Sequence, residues 1–166
     1  MKLRKKGFGL IEIMSAVAII GFLAAIAIPN LMRSRINANE AAAQVTLKTI
    51  NNALEAYYSD QASPSYPPNL TTLANANPPY IVQEIANNSA ALTPSTLFIV
   101  SGFGGYKGYV FRYEPTLTGT RIYTYTLYAL PVEESKTGST YFSMSASGDI
   151  VKTTKDAATG TPTEPN

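Results

Sequence analysis

The chain contains no cysteine, no histidine and no tryptophan. Without cysteine there are no disulfides, so the chain carries no redox mark of its compartment. Thiolate and imidazole metal sites, cysteine nucleophiles and histidine-based triads are excluded as well. Most hydrolytic and redox chemistry thereby loses its usual residues, and catalysis becomes the weaker class of function. No catalytic residue, no metal site and no cofactor is expected. Also missing is a basic excess spread over the chain, which a nucleic-acid binder normally needs. The formal charge is +2, but four of the 13 basic residues, Lys2, Arg4, Lys5 and Lys6, fall in the first six positions. That leaves 9 basic residues against 11 acidic ones over the remainder. Such a terminal cluster reads as a topology signal for a membrane segment, and contact with nucleic acid is expected to be absent or indirect. A length of 166 residues suits one ordinary domain and its core.

What is present begins directly after that cluster. Residues Phe8 to Pro29 are almost wholly apolar and hold one charge, Glu12. About 20 apolar residues span a bilayer as a helix, with the basic leader on the cytoplasmic side. Three readings compete. One is an ordinary secretory signal, because Ala25-Ile26-Ala27 resembles a cleavage site after Ala27. Another is a plain single-pass anchor. Neither gives Glu12 a use, although a carboxylate deep in a bilayer costs on the order of 2.5–3.5 kcal/mol. In the third, the chain is cut between Gly7 and Phe8. Phe8 then carries a new α-ammonium, and Glu12 lies four residues on along the same helix face. The two charges gain most by pairing with each other or with the same groups on a neighbouring rod. Pairing between subunits would fix the axial stagger, as a single buried polar residue fixes register in a coiled coil.

Lys5-Lys6-Gly7-Phe8-Gly9-Leu10-Ile11-Glu12-Ile13-Met14, continued by Ala18-Ile19-Ile20-Gly21-Phe22-Leu23-Ala24-Ala25-Ile26-Ala27-Ile28-Pro29, resembles the N-terminus of type IV prepilins and type II secretion pseudopilins. The resemblance is close over about the first 55 residues and architectural beyond them. It implies that a prepilin peptidase cuts after Gly7 and that Phe8 becomes N-methylated. It also implies that Glu12 is required for assembly through the amine of an adjacent subunit. Gly9 departs from the pattern, which often has threonine there. The lack of cysteine is a second departure, since many type IV pilins close a C-terminal loop with a disulfide. Gly21 and Pro29 both loosen a helix. Both are also ordinary in transmembrane helices. The resemblance implies a further use, unwinding between them as the subunit enters a filament.

From Asn30 to Tyr58 the pattern turns amphipathic, with Ala43, Leu47, Ile50, Leu54 and Tyr57 at helical spacing. One helix from Phe8 to about Tyr58 is therefore expected. Arg33 and Arg35 fit either solvated charges or subunit-interface charges. Ser59 to Pro79 reads as a loop with at most a helical turn at Leu70 to Ala74, and Tyr80 to Ser95 is ambiguous. Gly102 to Gly108 has the wrong glycine spacing for a phosphate loop and no Gly-Lys-Ser/Thr, so it reads as a connector. Three alternating stretches follow: Tyr109/Phe111/Tyr113, Tyr123/Tyr125/Leu127 and Phe142/Met144/Ala146. Ser147-Gly148 then turns the chain into a short strand at Asp149 to Lys152. The tyrosines suit sheet packing and interface contacts better than ligand stacking. Glu133-Glu134 reads as a solvated turn. Asn69 and Asn87 begin glycosylation patterns that arise readily by chance.

The fold class these signals give is α+β: a long N-terminal helix, membrane-spanning in its first half, packed on a small antiparallel sheet of about four strands, pilin-like. The expected organisation is a removable leader at 1–7, an assembly half-helix at 8–29 and an amphipathic half at 30–58. A sheet domain follows at 59–152, then a disordered tail at 153–166. The resemblance implies a structural subunit that homopolymerises through its N-terminal helices, whether in a type IV pilus or in a secretion pseudopilus. Its expected partners are the prepilin peptidase, membrane lipid and inner-membrane assembly machinery. It would reside in the inner membrane before assembly and in an extracellular or periplasmic filament afterwards, serving adhesion, motility, DNA uptake or secretion. A secreted domain behind an ordinary signal peptide is the weakest alternative.

Overall fold

The apolar run and the amphipathic stretch are one helix. The structure, a computed structural model, describes residues 9–89 and 105–154. Its first element is α1, Leu10–Asp60. Helical residues continue through Pro29, where the ring leaves the Ala25 carbonyl without its usual N–H partner. The end at Asp60 comes where Gln61-Ala62-Ser63-Pro64 offers no further apolar period. Two short helices follow, α2 (Leu70–Ala74) and α3 (Gln83–Ser89). Four strands come next: β1 (Tyr109–Thr118), β2 (Arg121–Pro131), β3 (Tyr141–Ser145) and β4 (Ile150–Thr153). They form an antiparallel meander in the order β1-β2-β3-β4. The fold is α+β, as the patterning implies, and pilin-like, as the resemblance implies.

The chain divides into two compact units between Arg35 and Ile36. In the first, every large apolar side chain from Leu10 to Met32 is exposed. That surface is unsuited to water and suited to lipid or to other helices. Among the described residues α1 is the one helix long and apolar enough to cross a membrane.

In the second unit the remainder of α1 covers the sheet. Ala43, Leu47, Ile50 and Leu54 are buried in one cluster with Tyr109, Phe111, Tyr125, Leu127 and Phe142. Full burial of each large aliphatic contributes about 1.5–3 kcal/mol, so this stripe is what holds helix to sheet. Loop residues 61–69 return beneath the β1–β2 hairpin, where the Tyr66 N–H donates to the Ile122 carbonyl at 2.9 Å. Asn69 caps α2, its side chain accepting from the Thr72 N–H. The Asn69 amide oxygen of the first glycosylation pattern is thus engaged in a cap.

Two local outcomes differ from the patterning. The register of β1 against β2 shifts between Thr116 and Leu117, leaving Tyr123 as an extra residue. Past that bulge the alternation slips by one. Ile122 therefore enters the core, and Tyr123, expected in phase with Tyr125, is 47% exposed. The ambiguous stretch from Tyr80 contains α3, and its last residues, 90–95, lie outside the described residues. So do residues 102–104 of the glycine-rich connector and residues 155–166 of the expected tail. Thr153, the first residue of the expected tail, instead closes β4. The turn before it is as read: Gly148 takes φ +82° and its N–H donates to the Ser145 carbonyl.

Candidate processing and assembly site

Glu12 occupies the third helical position of α1, and its carboxylate turns back on the helix start. Gly9 donates its backbone N–H to Glu12 Oε2 at 2.9 Å, which is half of a capping box. The other half needs a hydroxyl at position 9, and glycine has none. Ser15 adds a bond from its Oγ to the Glu12 carbonyl. The anion therefore sits at the positive end of the helix dipole, three residues from an N–H that immediately follows Phe8. Gly7 and Phe8 themselves lie outside the described residues.

Gly21 is on the exposed surface of α1, and a Cβ there would meet nothing within 4 Å. Among the described residues no close approach demands glycine at that point. What glycine does supply is backbone freedom, with an alanine-relative penalty of up to about 1 kcal/mol. Pro29 lies two turns further along the same helix.

The amphipathic half of α1 carries polar groups whose tasks were not legible in the spacing. The Glu40 Oε1 accepts three bonds, from the Ser139 N–H (3.0 Å), the Ser139 hydroxyl (2.9 Å) and the Thr140 N–H (3.1 Å). Asn39 Nδ2 donates to the Thr137 carbonyl at 2.8 Å, and Tyr109 donates its hydroxyl to the Thr140 carbonyl at 2.8 Å. The 137–140 loop is thus clasped to both α1 and β1. Burial alone would raise the Glu40 pKa, but the bonds from Ser139 and Thr140 outweigh it and hold the carboxyl below its ordinary range. A second joint sits nearer the end of α1. Tyr66 donates to Glu55 at 2.7 Å, and Tyr125 donates to Asn51 at 2.7 Å with Glu55 at 3.2 Å. A polar helix face opposite tyrosine-bearing strands was the only signal for either joint.

An open groove of about 610 Å³ runs beside α1, lined by Val45, Thr49, Ile81, Val82, Tyr106 and Lys107 among others. It brings together no acid–base or nucleophilic constellation. Glu133 and Glu134 do not form a carboxylate pair for chemistry either, since Glu133 takes Lys136 at 2.6 Å on the surface.

The family described as "Prokaryotic N-terminal methylation motif" matches this chain over residues 2–28. The N-terminus carries this methylation motif. The chain is similar to the "Type IV major pilin protein PilA" of Myxococcus xanthus (strain DK1622), 43% identical over 58 residues. Those residues are 35% of this chain and 26% of that protein. It is also similar to the "Type II secretion system core protein G" of Aeromonas hydrophila, 37% identical over 59 residues (36% of this chain, 41% of that one). The protein of the same name in Escherichia coli (strain K12) is 39% identical over 57 residues (34% and 39%). The chain thus aligns with between a quarter and two-fifths of the length of these relatives. No solved structure matches it.

Proposed function

We propose that the protein is a structural, non-catalytic subunit of a type IV pilus, held in the inner membrane by α1 and assembled through it. One observation carries this reading. A methylation-type N-terminus leads into a helix whose large apolar side chains are all exposed up to Met32, with a single carboxylate at its start. Such a rod is satisfied by lipid and then by other copies of itself. In this reading the prepilin peptidase cuts after Gly7 and Phe8 receives the methyl group. The new amine then lies within reach of Glu12, on its own helix or a neighbour's, and the pairing sets the stagger of subunits. Gly21 and Pro29 mark the segment that unwinds on assembly. The leader faces the cytoplasm, and the second unit faces the periplasm and then the filament surface. The similarity to secretion core proteins supports a second reading, a type II pseudopilin, which shares every step up to the filament itself.

The test is the intact mass and first residue of protein purified from membranes or from sheared surface material. An N-methylated Phe8 is expected. A chain beginning at Ile28 would mean secretory cleavage after Ala27, and the filament reading would fall. Gly7→Ala should accumulate uncut in the membrane. Glu12→Val should be processed but yield few filaments, and normal filament yield from that variant would remove the stagger argument.

A further inference from the structure

Arg33 and Arg35 follow the apolar run immediately, and both are exposed. No aspartate or glutamate occurs between Glu12 and Glu40, and Glu40 is engaged with Ser139 and Thr140. The ion pairs of the described residues, Arg112–Glu114 and Lys136–Glu133, include neither arginine. Their placement around the helix is informative. Residues two apart on an α-helix point about 200° from each other, so the two guanidinium groups leave α1 on opposite sides at nearly one level. A protein partner docking on one side would meet only one of them. A layer surrounding the helix meets both.

Leu10 to Met32 is 23 residues, or about 34 Å of helix against a hydrocarbon core of about 30 Å. With the leader inside, Arg33 and Arg35 emerge at the phosphate level of the outer leaflet. Asn30 and Ser34 complete a polar collar there. The topology rule gives no reason for cations on that side, and four basic leader residues are needed to outvote them. Guanidinium groups do match phosphate in charge and in their forked geometry. We propose that Arg33 and Arg35 form a phosphate-binding collar that ties the membrane-resident subunit to anionic phospholipid headgroups of the outer leaflet. It rests on the reading of Leu10 to Met32 as a membrane span. Leaving the membrane for a filament would then require both contacts to be exchanged.

The experiment uses the full chain in phosphatidylcholine vesicles, with spin-labelled phosphatidylglycerol or spin-labelled phosphatidylcholine as the probe of lipids held at the protein surface. The wild-type chain should hold phosphatidylglycerol several-fold better, and raised salt should weaken that preference. Arg33→Gln/Arg35→Gln should lose much of it, retaining only what the basic leader supplies. Arg33→Lys/Arg35→Lys should recover part, having the charge without the fork. Unchanged selectivity in the Gln variant overturns the collar. So does a Gln variant that keeps its lipid preference but loses filament yield, which would assign the arginines to subunit contacts. An alkaline carbonate wash separates the two levels of failure. If the wild-type chain is extracted, the span itself is wrong and the collar falls with it; if the chain is retained without lipid selectivity, only the collar falls.

Discussion

Glu40 belongs to the helix, yet its carboxylate accepts its hydrogen bonds from residues about a hundred positions away in sequence. Glu40→Ala strips the Ser139 and Thr140 amides of their acceptor and should lower stability by about 2–3 kcal/mol, read by urea unfolding in mild detergent. The pH dependence has a definite sign. The folded pKa of Glu40 lies below its ordinary 4.5, so its stabilisation is present above that value and disappears as pH falls through the lowered one. Glu40→Gln should flatten this part of the acid limb. Gly138 serves the same clasp from the other side, because a Cβ there would run into the Tyr109 ring. Gly138→Ala should cost about 1–3 kcal/mol by overpacking. If it is neutral, the loop does not sit against Tyr109 as described.

At the scale of elements, the α1 stripe and the inner face of the sheet are one structure. Leu47→Ala should destabilise the second unit by about 2–5 kcal/mol, whereas Val45→Ala, on the exposed side of the same turn, should stay within about 0.5 kcal/mol. Tyr66, Tyr109, Tyr113 and Tyr125 are all pushed up from their ordinary value of 10.0, by burial first. Their neutral form is the one the fold accepts. Stability is therefore intact below about pH 10 and declines above it, as the unfolded chain ionises and the folded one resists. Phenolate absorbance should rise in two stages, the second belonging to these four tyrosines and coinciding with the loss of circular dichroism. A single stage with the fold intact would contradict their burial. Much of this was legible beforehand. Ala43, Leu47, Ile50 and Leu54 declared their period, and Tyr109, Phe111 and Tyr113 declared theirs. The bulge at Tyr123 was not legible, because a one-residue slip leaves composition and apparent alternation unchanged. The tasks of Glu40 and Glu55 escaped too, since a solvated helix carboxylate and a clasping one are the same letter in the sequence.

For the whole molecule, the two units call for different surroundings. A chain beginning at Asn30 should be soluble and monomeric by sedimentation, with the tyrosine-rich core of the second unit intact. Polymerisation of that shortened chain would mean the apolar half of α1 is not the main assembly element. The candidate site was readable at the level of letters, from Gly7, Phe8, Glu12 and the run behind them, because a charge inside an apolar segment is conspicuous. Its geometry was less so, since the Gly9–Glu12 bond depends on where the helix starts. The placement of the stripe within α1 has a consequence for biogenesis. Leu54 precedes Tyr109 by 55 positions, so a chain emerging N-terminus first presents its sticky helix long before any strand exists to cover it. The strands can pair with their neighbours as they emerge, but the closure of helix stripe on sheet is late and long-range, which slows folding and exposes the nascent helix to association with others of its kind. Under the proposed function the segment that emerges earliest is also the membrane anchor, so nascent copies are already held at the bilayer while the sheet that will cover the helix is still being made.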